Sequence, residues 1–298
     1  MATWEVIVGA TAYPLSDRNP FDVVSISGVG LSPVRRLTQR GPQQHGETDL
    51  GFRLDSRHLN LVLSVRTRTL AETDAARDLL AYILGPRESR TIALRVTRDD
   101  GVVRQIDCRP VGVLDFPVSV DERIGASQKV GVQLVAVEPN WYDPIALQSS
   151  FALASFSAGM AVPVAIPLLF ASATGGTGSV QVEYGGTFDE FPLLTIAGPV
   201  ADAYVENVTT GDIISFLGYT IAAGDVITID LRYGHKSVFD ANGTNRIDAL
   251  TDDSDLATFR LVSKLEVEEG RNELFMSGLS LSAASLVTLT YFNRYISP

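Results

Sequence analysis

The side chains able to do chemistry are few and widely spaced. Three histidines, His45, His58 and His235, and one cysteine, Cys108, occur in 298 residues. None sits in a His-Glu-x-x-His or paired Cys-x-x-Cys spacing, so a zinc site is not expected. Asp55-Ser56-Arg57-His58 places an acid, a hydroxyl and an imidazole in one short run. Catalytic triads draw their members from distant segments on shaped turns, so this run reads as a solvated strand face. Gly28-Val29-Gly30-Leu31-Ser32-Pro33 begins like a dinucleotide-binding loop. Pro33 stands where a glycine is needed and no helical pattern follows, so it reads as a turn. Asp240, Asn242 and Thr244, followed by Asp248, Asp252, Asp253 and Asp255, offer oxygen ligands. Counted from Asp240, a calcium-binding EF-hand loop needs Gly and Glu where Asn245 and Thr251 stand. An acidic turn is expected there, with a calcium site of another kind left open. The remaining acids cluster in turn-like contexts such as Asp99-Asp100-Gly101, Asp121-Glu122 and Glu268-Glu269-Gly270. They give no carboxylate pair for glycoside hydrolysis. The expectation is a protein that is not an enzyme and carries no cofactor or metal.

Charge narrows the partners. The formal net charge of -11 repels a phosphate backbone, and Arg35, Arg36 and Arg40 form the one near-cluster of cations. The lone Cys108 excludes an intrachain disulfide and reads as a small buried hydrophobe. The N-terminal residues lack a basic stretch followed by an apolar one, so no secretory signal is expected and synthesis in a cytoplasm is. Residues 151–178 carry no charge. Pro163, Pro167 and the alternation of Val162, Val164, Ile166 and Leu168 oppose a spanning helix and favour a linker entering a strand.

The elements that would position any site are mostly strands. Leu59, Leu61, Leu63 and Val65 alternate with His58, Asn60, Val62 and Ser64, and Ile92, Leu94 and Val96 repeat the pattern. Asp100-Gly101 reads as the turn of a hairpin between residues 92–96 and 103–108. Val130, Val132, Leu134, Val135 and Val137 form a nearly continuous apolar run, as for a strand covered on both faces. One helix is expected: Thr69-Leu70-Ala71-Glu72 is a capping box, Gly85-Pro86 a stop, and Ala76, Leu79, Leu80 and Ile83 an apolar stripe. Residues 29–49, rich in Gly, Pro and Gln, read as a projecting loop or hairpin. In the second half Val180, Val182 and Tyr184, and Ile227, Ile229 and Leu231, alternate with polar residues between glycine turns. The prolines around Trp141-Tyr142 suggest a boundary. The expected domains are 1–144 and 145–298, with 145–165 as linker or first strand.

The ordered motifs resemble the distal tail protein family of siphophages, also called the phage tail component or baseplate hub family. In the first half the matching residues are Gly28 to Gly30, Arg35 and Arg36, Gln44-His45-Gly46, the single helix, and Pro139-Asn140-Trp141-Tyr142. In the second they are Gly198-Pro199, Asn207-Val208-Thr209-Thr210-Gly211, Asn242-Gly243, Glu269-Gly270-Arg271-Asn272, and the terminal segment with Arg294. Glu138 stands where the family pattern has Asp. The resemblance implies a mainly β protein: an N-terminal ring-forming β domain with one covering α-helix and a projecting hairpin, and a C-terminal galectin-like β-sandwich. It implies a hexameric ring at the distal end of the virion tail. The ring would join the tail tube protein to a tail-tip hub or fibre protein and pass DNA without binding it specifically or entering a membrane. The alternative is a carbohydrate-binding module for host-surface glycans. Both tryptophans, Trp4 and Trp141, lie outside residues 145–298, leaving Tyr184, Tyr204, Tyr219 and Tyr233 as its aromatic platforms.

Overall fold

The computed structural model describes residues 2–15, 20–85, 91–112, 114–116, 123–124, 126–152, 154–155 and 176–298. Pro86 and most of the uncharged stretch, with Pro163 and Pro167, lie outside the described residues, as does the turn at Asp121-Glu122. The chain divides into two compact units. One is Met1–Pro144 together with Tyr295–Pro298, and the other is Ile145–Arg294. The fold is mainly β, with one α-helix among the described residues.

The first unit contains strands β1 (Thr3–Val8), β2 (Thr11–Pro14), β3 (Phe21–Ser27), β4 (Val34–Gln39), β5 (Thr48–Leu54) and β6 (Arg57–Arg66). Helix α1 (Leu70–Leu84) follows, then β7 (Ile92–Thr97), β8 (Val103–Pro110), β9 (Arg123–Ile124), β10 (Ser127–Ala136) and β11 (Trp141–Tyr142). The main sheet runs β2-β1-β7-β8-β10-β6-β3 with antiparallel neighbours. In β6 and β10 period-two alternation sends Leu59, Leu61, Leu63 and Val65 inward, opposite Leu134, Val132, Val130 and Gln128. Each such aliphatic side chain stabilises by about 1.5–3 kcal/mol. The expectation that β10 is covered on both faces fails. Lys129 and Gln133 are exposed between its buried residues, and Val137 beyond it is solvent-facing, so one face is wet. The β7–β8 turn closes as expected: Gly101 N donates to Arg98 O at 3.0 Å, with Gly101 at φ 84°.

Helix α1 starts at its expected cap. Thr69 Oγ1 accepts from Glu72 N at 3.2 Å, while the Glu72 carboxylate accepts from Arg68 N at 2.8 Å, one residue before the usual capping-box partner. The buried stripe is Thr73, Ala76, Leu80, Ile83 and Leu84; Leu79 is exposed. At 100° per residue Thr73 and Leu79 lie roughly 60° to either side of Ala76. The helix is rolled toward Thr73, whose hydroxyl bonds Thr67 Oγ1 at 2.7 Å and reaches Ala126 O at 3.4 Å. Gly85 ends the helix with extended backbone, so the left-handed glycine cap is absent.

Residues 29–49 resolve into the hairpin β4–β5, a two-stranded sheet of its own. None of its strand residues is buried.

The second unit contains β12 (Leu147–Ala152), β13 (Ala154–Ser155), β14 (Gly176–Glu183), β15 (Leu193–Ala197), β16 (Val200–Asn207), β17 (Asp212–Ser215), β18 (Thr220–Ile221), β19 (Val226–Asp230), β20 (Ser237–Asp240), β21 (Arg271–Leu279), β22 (Leu286–Tyr291) and β23 (Arg294–Tyr295), whose second residue belongs to the first unit. One antiparallel sheet runs β12-β22-β15-β19-β20 and the other β13-β14-β21-β16-β17. Their inward residues, among them Val182, Ile196, Val205, Ile229, Met276 and Leu289, form one core, the arrangement of a β-sandwich. The outer edge of β17 is sealed. Ile213 N donates to Asp255 Oδ2 at 2.9 Å and Asp255 N returns a bond to Ile213 O at 2.7 Å, which removes an open edge.

Candidate functional site

The motif residues are structural locks, and the strongest of them involves a residue outside the motifs. Arg57 is 1% exposed, and every partner it finds is a carbonyl. Its Nε donates to Pro139 O at 2.8 Å, one Nη to Gly28 O at 2.9 Å, Val29 O at 3.0 Å and Gly30 O, and the other Nη to Ile296 O at 2.8 Å. One guanidinium thereby ties the root of the hairpin, the segment before Trp141 and the C-terminal residues together. Burial pushes its pKa below the ordinary arginine value. The expected solvated face at residues 55–58 is therefore corrected: His58 is exposed, but Arg57 faces inward. Period two places Arg57 on the face of Leu59 and Leu61, and that parity was the available signal. Gly28 carries φ 85°, and a Cβ there would lie 1.9 Å from His58 O, so the turn needs glycine.

Trp141 is 0% exposed, edge-on to Trp4 at 6.3 Å and under the Arg57 guanidinium at 6.0 Å. Tyr142 accepts from Gln105 Nε2 at 2.9 Å and donates to Asp107 Oδ1 at 2.6 Å. The C-terminal residues are held again by Arg104, whose guanidinium lies 3.6 Å from the Tyr295 ring centre and donates to Ser297 O at 2.6 Å. Gln44, His45 and Gly46 form the hairpin tip. Gln44 accepts from Gly41 N and donates to Thr48 Oγ1, both at 2.9 Å, while His45 points to solvent and Gly46 adopts φ 80°.

In the second unit residues 207–211 make the β16–β17 turn. Asn207 is wholly buried: its Oδ1 accepts from Thr209 N at 3.1 Å and its Nδ2 donates to Arg260 O at 2.6 Å. Thr209 Oγ1 accepts from Glu273 N at 2.9 Å, Thr210 Oγ1 from Asp212 N at 3.2 Å, and Gly211 N donates to Asn207 O at 2.7 Å. Each side chain thus satisfies a backbone group that the turn would strand. A Cβ on Gly198 would meet Ala222 O at 2.2 Å, and Pro199 O accepts from Ser285 Oγ at 2.6 Å. Arg294, nearly buried, pairs through Nε with the buried carboxylate of Glu190.

Around Asn242 and Gly243 the carboxylate of Asp240 is already engaged. It accepts from Asn242 N and Thr244 N at 2.9 Å and from Arg246 Nε at 3.0 Å, and these bonds, led by that from Thr244, hold its pKa below the usual range. Among the described residues no cluster of three or more His, Cys, Asp or Glu side chains has metal-binding geometry. No helix among them is long and apolar enough to cross a membrane.

The candidate aromatic platforms fare unequally. Tyr184 is buried, bonded to Phe188 O at 2.6 Å, and burial raises its pKa. Tyr233 packs on Phe191 at 4.4 Å, with Lys236 Nζ 5.4 Å from its ring. Lys236 donates to the carbonyls of Leu231, Leu256 and Ala257, so this aromatic cage is filled by the chain's own cation. Tyr219 lines an open basin of about 560 Å³ with Leu217, Arg246, Asp248, Thr251 and Asp252.

With the fold in view, comparison with known proteins places it. Residues 10–136 match the family model of the phage tail protein RIFT-related domain. The crystal structure of Dit from phage SPP1, described as a paradigm of the hub adsorption apparatus in phages infecting Gram-positive hosts, superposes with a TM-score of 0.63. The identity is 15%, and 98% of each chain is covered. The baseplate of phage p2 in its activated, calcium-containing conformation gives a TM-score of 0.51 at 10% identity, again over 98% of each chain. No curated protein matches the sequence. The two similar structures are thus a phage hub protein and a phage baseplate.

Proposed function

We propose that the chain is a structural distal tail protein of a long-tailed phage. It forms a hexameric ring between the tail tube and a tail-tip hub or fibre protein. The observation that carries this reading is the match over both units to a hub protein, together with a matching tail-family domain in the first. A physical account supports it. Residues 207–211 need no catalytic role, because their side chains serve the turn itself, and the hairpin β4–β5 offers unpaired edges and exposed side chains to a neighbour. The second unit serves as a galectin-like sandwich facing the tip proteins. A net charge of -11 suits a channel through which DNA passes without sticking. Synthesis is in the host cytoplasm and the working location is the distal end of the virion tail. Electron microscopy of the purified protein, free and mixed with tube protein, tests the reading. Six-membered rings are expected, and a particle that stays monomeric in both conditions overturns it.

The basin at Tyr219 supports a second reading, a module for host glycans, because it joins an aromatic ring to charged hydrogen-bonding groups. Saturation-transfer NMR with neutral monosaccharides separates the two. Signals lost in Tyr219→Ala favour the glycan reading, and absence of any transfer removes it.

A further inference from the structure

The turn after β20 joins a reactive dipeptide to a charged brace. Asn242-Gly243 is the one place in the sequence where glycine follows asparagine; the other asparagines precede Pro, Leu, Trp, Val, Glu or Arg. A side chain on the following residue hinders its amide nitrogen from reaching the asparagine Cγ, and glycine has none. Both residues are exposed, and a Cβ on Gly243 would meet nothing within 4 Å. The Asn242 carboxamide makes no hydrogen bond to the described residues. Other asparagine side chains are committed. Those of Asn207, Asn245, Asn272 and Asn293 hold backbone groups, Ile247 N on Asn245 Oδ1 at 2.9 Å among them.

We propose that Asn242 is a modification site, where the side-chain amide is converted to aspartate and isoaspartate by the chain itself, with water as the only co-reactant. The Gly243 nitrogen gives up its proton and attacks Asn242 Cγ. A new C–N bond closes a succinimide ring as the Cγ–Nδ2 bond breaks, and ammonia leaves with the proton. Water then opens the ring, giving aspartate when it adds at Cγ and isoaspartate when it adds at the main-chain carbonyl. The folded turn sets the pace. Gly243 N donates to Asp240 O at 3.0 Å, and the Asp240 carboxylate accepts from Asn242 N and Thr244 N, so the nitrogen is released only when the turn opens. The product acts on Arg246, which donates to the same carboxylate and lines the basin with Tyr219. Isoaspartate adds a carbon to the main chain before Gly243, which displaces Thr244 N from Asp240. A second carboxylate beside Asp240 disfavours the ionised state that Arg246 holds. Modification therefore weakens the Asp240–Arg246 contact at the edge of the basin. The inference stands apart from the ring reading.

Peptide mapping of the full chain, aged at mildly alkaline pH, tests the site. Asn242 is expected to convert at least about tenfold faster than Asn245 or any other asparagine. Protein isoaspartate methyltransferase is expected to tag the peptide that carries it, and Asn242→Gln to abolish the tag on that peptide. Conversion in the folded chain is expected to be slower than in urea. No conversion at Asn242, or conversion spread evenly over the asparagines, overturns the site, and equal rates folded and unfolded overturn control by the turn. The converted chain carries an added negative charge, so anion exchange separates it from the native one. Its Arg246 Nε–H resonance is expected to shift, and an unchanged resonance overturns the effect on the basin. Each of these outcomes is read without reference to whether rings form.

Discussion

Arg294 and Glu190 form an ion pair almost wholly withdrawn from water, with the arginine side chain 10% and the carboxylate 1% exposed. The pair ends the second unit: Glu190 Oε1 accepts from Phe292 N at 3.3 Å, and Tyr184 Oη accepts from Arg294 N at 3.0 Å. Removing one charge leaves the other buried and uncompensated. Glu190→Ala is expected to lower stability by about 3–5 kcal/mol, whereas Glu190→Leu with Arg294→Met is nearly neutral. Urea unfolding of the three chains gives the comparison, and equal losses in the single and double variants would refute it.

Arg57 serves its carbonyls through a planar fork, which an ammonium group does not reproduce. Arg57→Lys is expected to cost about 2–3 kcal/mol and to expose the hairpin root and the C-terminal residues to protease ahead of the core. Limited proteolysis followed by mass spectrometry reads the order of cleavage. Loss of stability without early cleavage at those segments would show that Arg57 does not couple them.

Asn207→Asp supplies a pH test. A carboxylate in this wholly buried site would face the Arg260 carbonyl, so burial raises its folded pKa above the unfolded value. The variant is then closest to the native chain at acid pH, where the introduced carboxyl group is protonated, and loses stability as pH rises through the raised pKa. The difference in unfolding free energy from the native chain, followed from pH 4 to pH 8, about the range in which such a group titrates, should widen upward. A difference that narrows sinks the assignment.

Cys108 should report global unfolding. Burial pushes its thiol up to about 12, so almost none is thiolate at neutral pH in the folded chain. A disulfide reagent at pH 8, near an ordinary thiol's pKa, is expected to label it only at the unfolding rate. Labelling faster than hydrogen exchange of the β7–β8 core would mean local opening.

Much of this fold was legible because its elements obey local rules. The cap at Thr69, the Asp100-Gly101 turn and the alternation in β6, β14 and β19 are written in neighbouring residues. The misreadings have a different origin. Leu79 and Thr73 flank Ala76 at about 60° on opposite sides of the helix, and the partners that draw Thr73 inward, Thr67 and Ala126, lie outside the helix. The run from Val130 to Val137 looks nearly apolar because Gly131 and Val135 on its outward parity are uncharged, although only the other parity of β10 is buried. Arg57 answers to carbonyls 27 to 239 residues away, and Lys236 to carbonyls and rings from three segments. The parity that Arg57 shares with Leu59 and Leu61 shows that it points inward, but partners as distant as Pro139, Ile296 and Leu256 have no local signature.

The first unit is completed by Tyr295–Pro298, residues that follow the whole second unit in the chain. In genetic terms the sandwich is an insertion within the first unit's reading frame and not a domain appended to its end. A stop codon after residue 144 therefore removes part of the first unit, including the Ile296 carbonyl and the Tyr295 ring. A clean excision must rejoin residue 144 to residue 295. The same layout makes residues 145–294 a cassette: another insert with compatible ends could replace the sandwich while the first unit keeps every residue it uses.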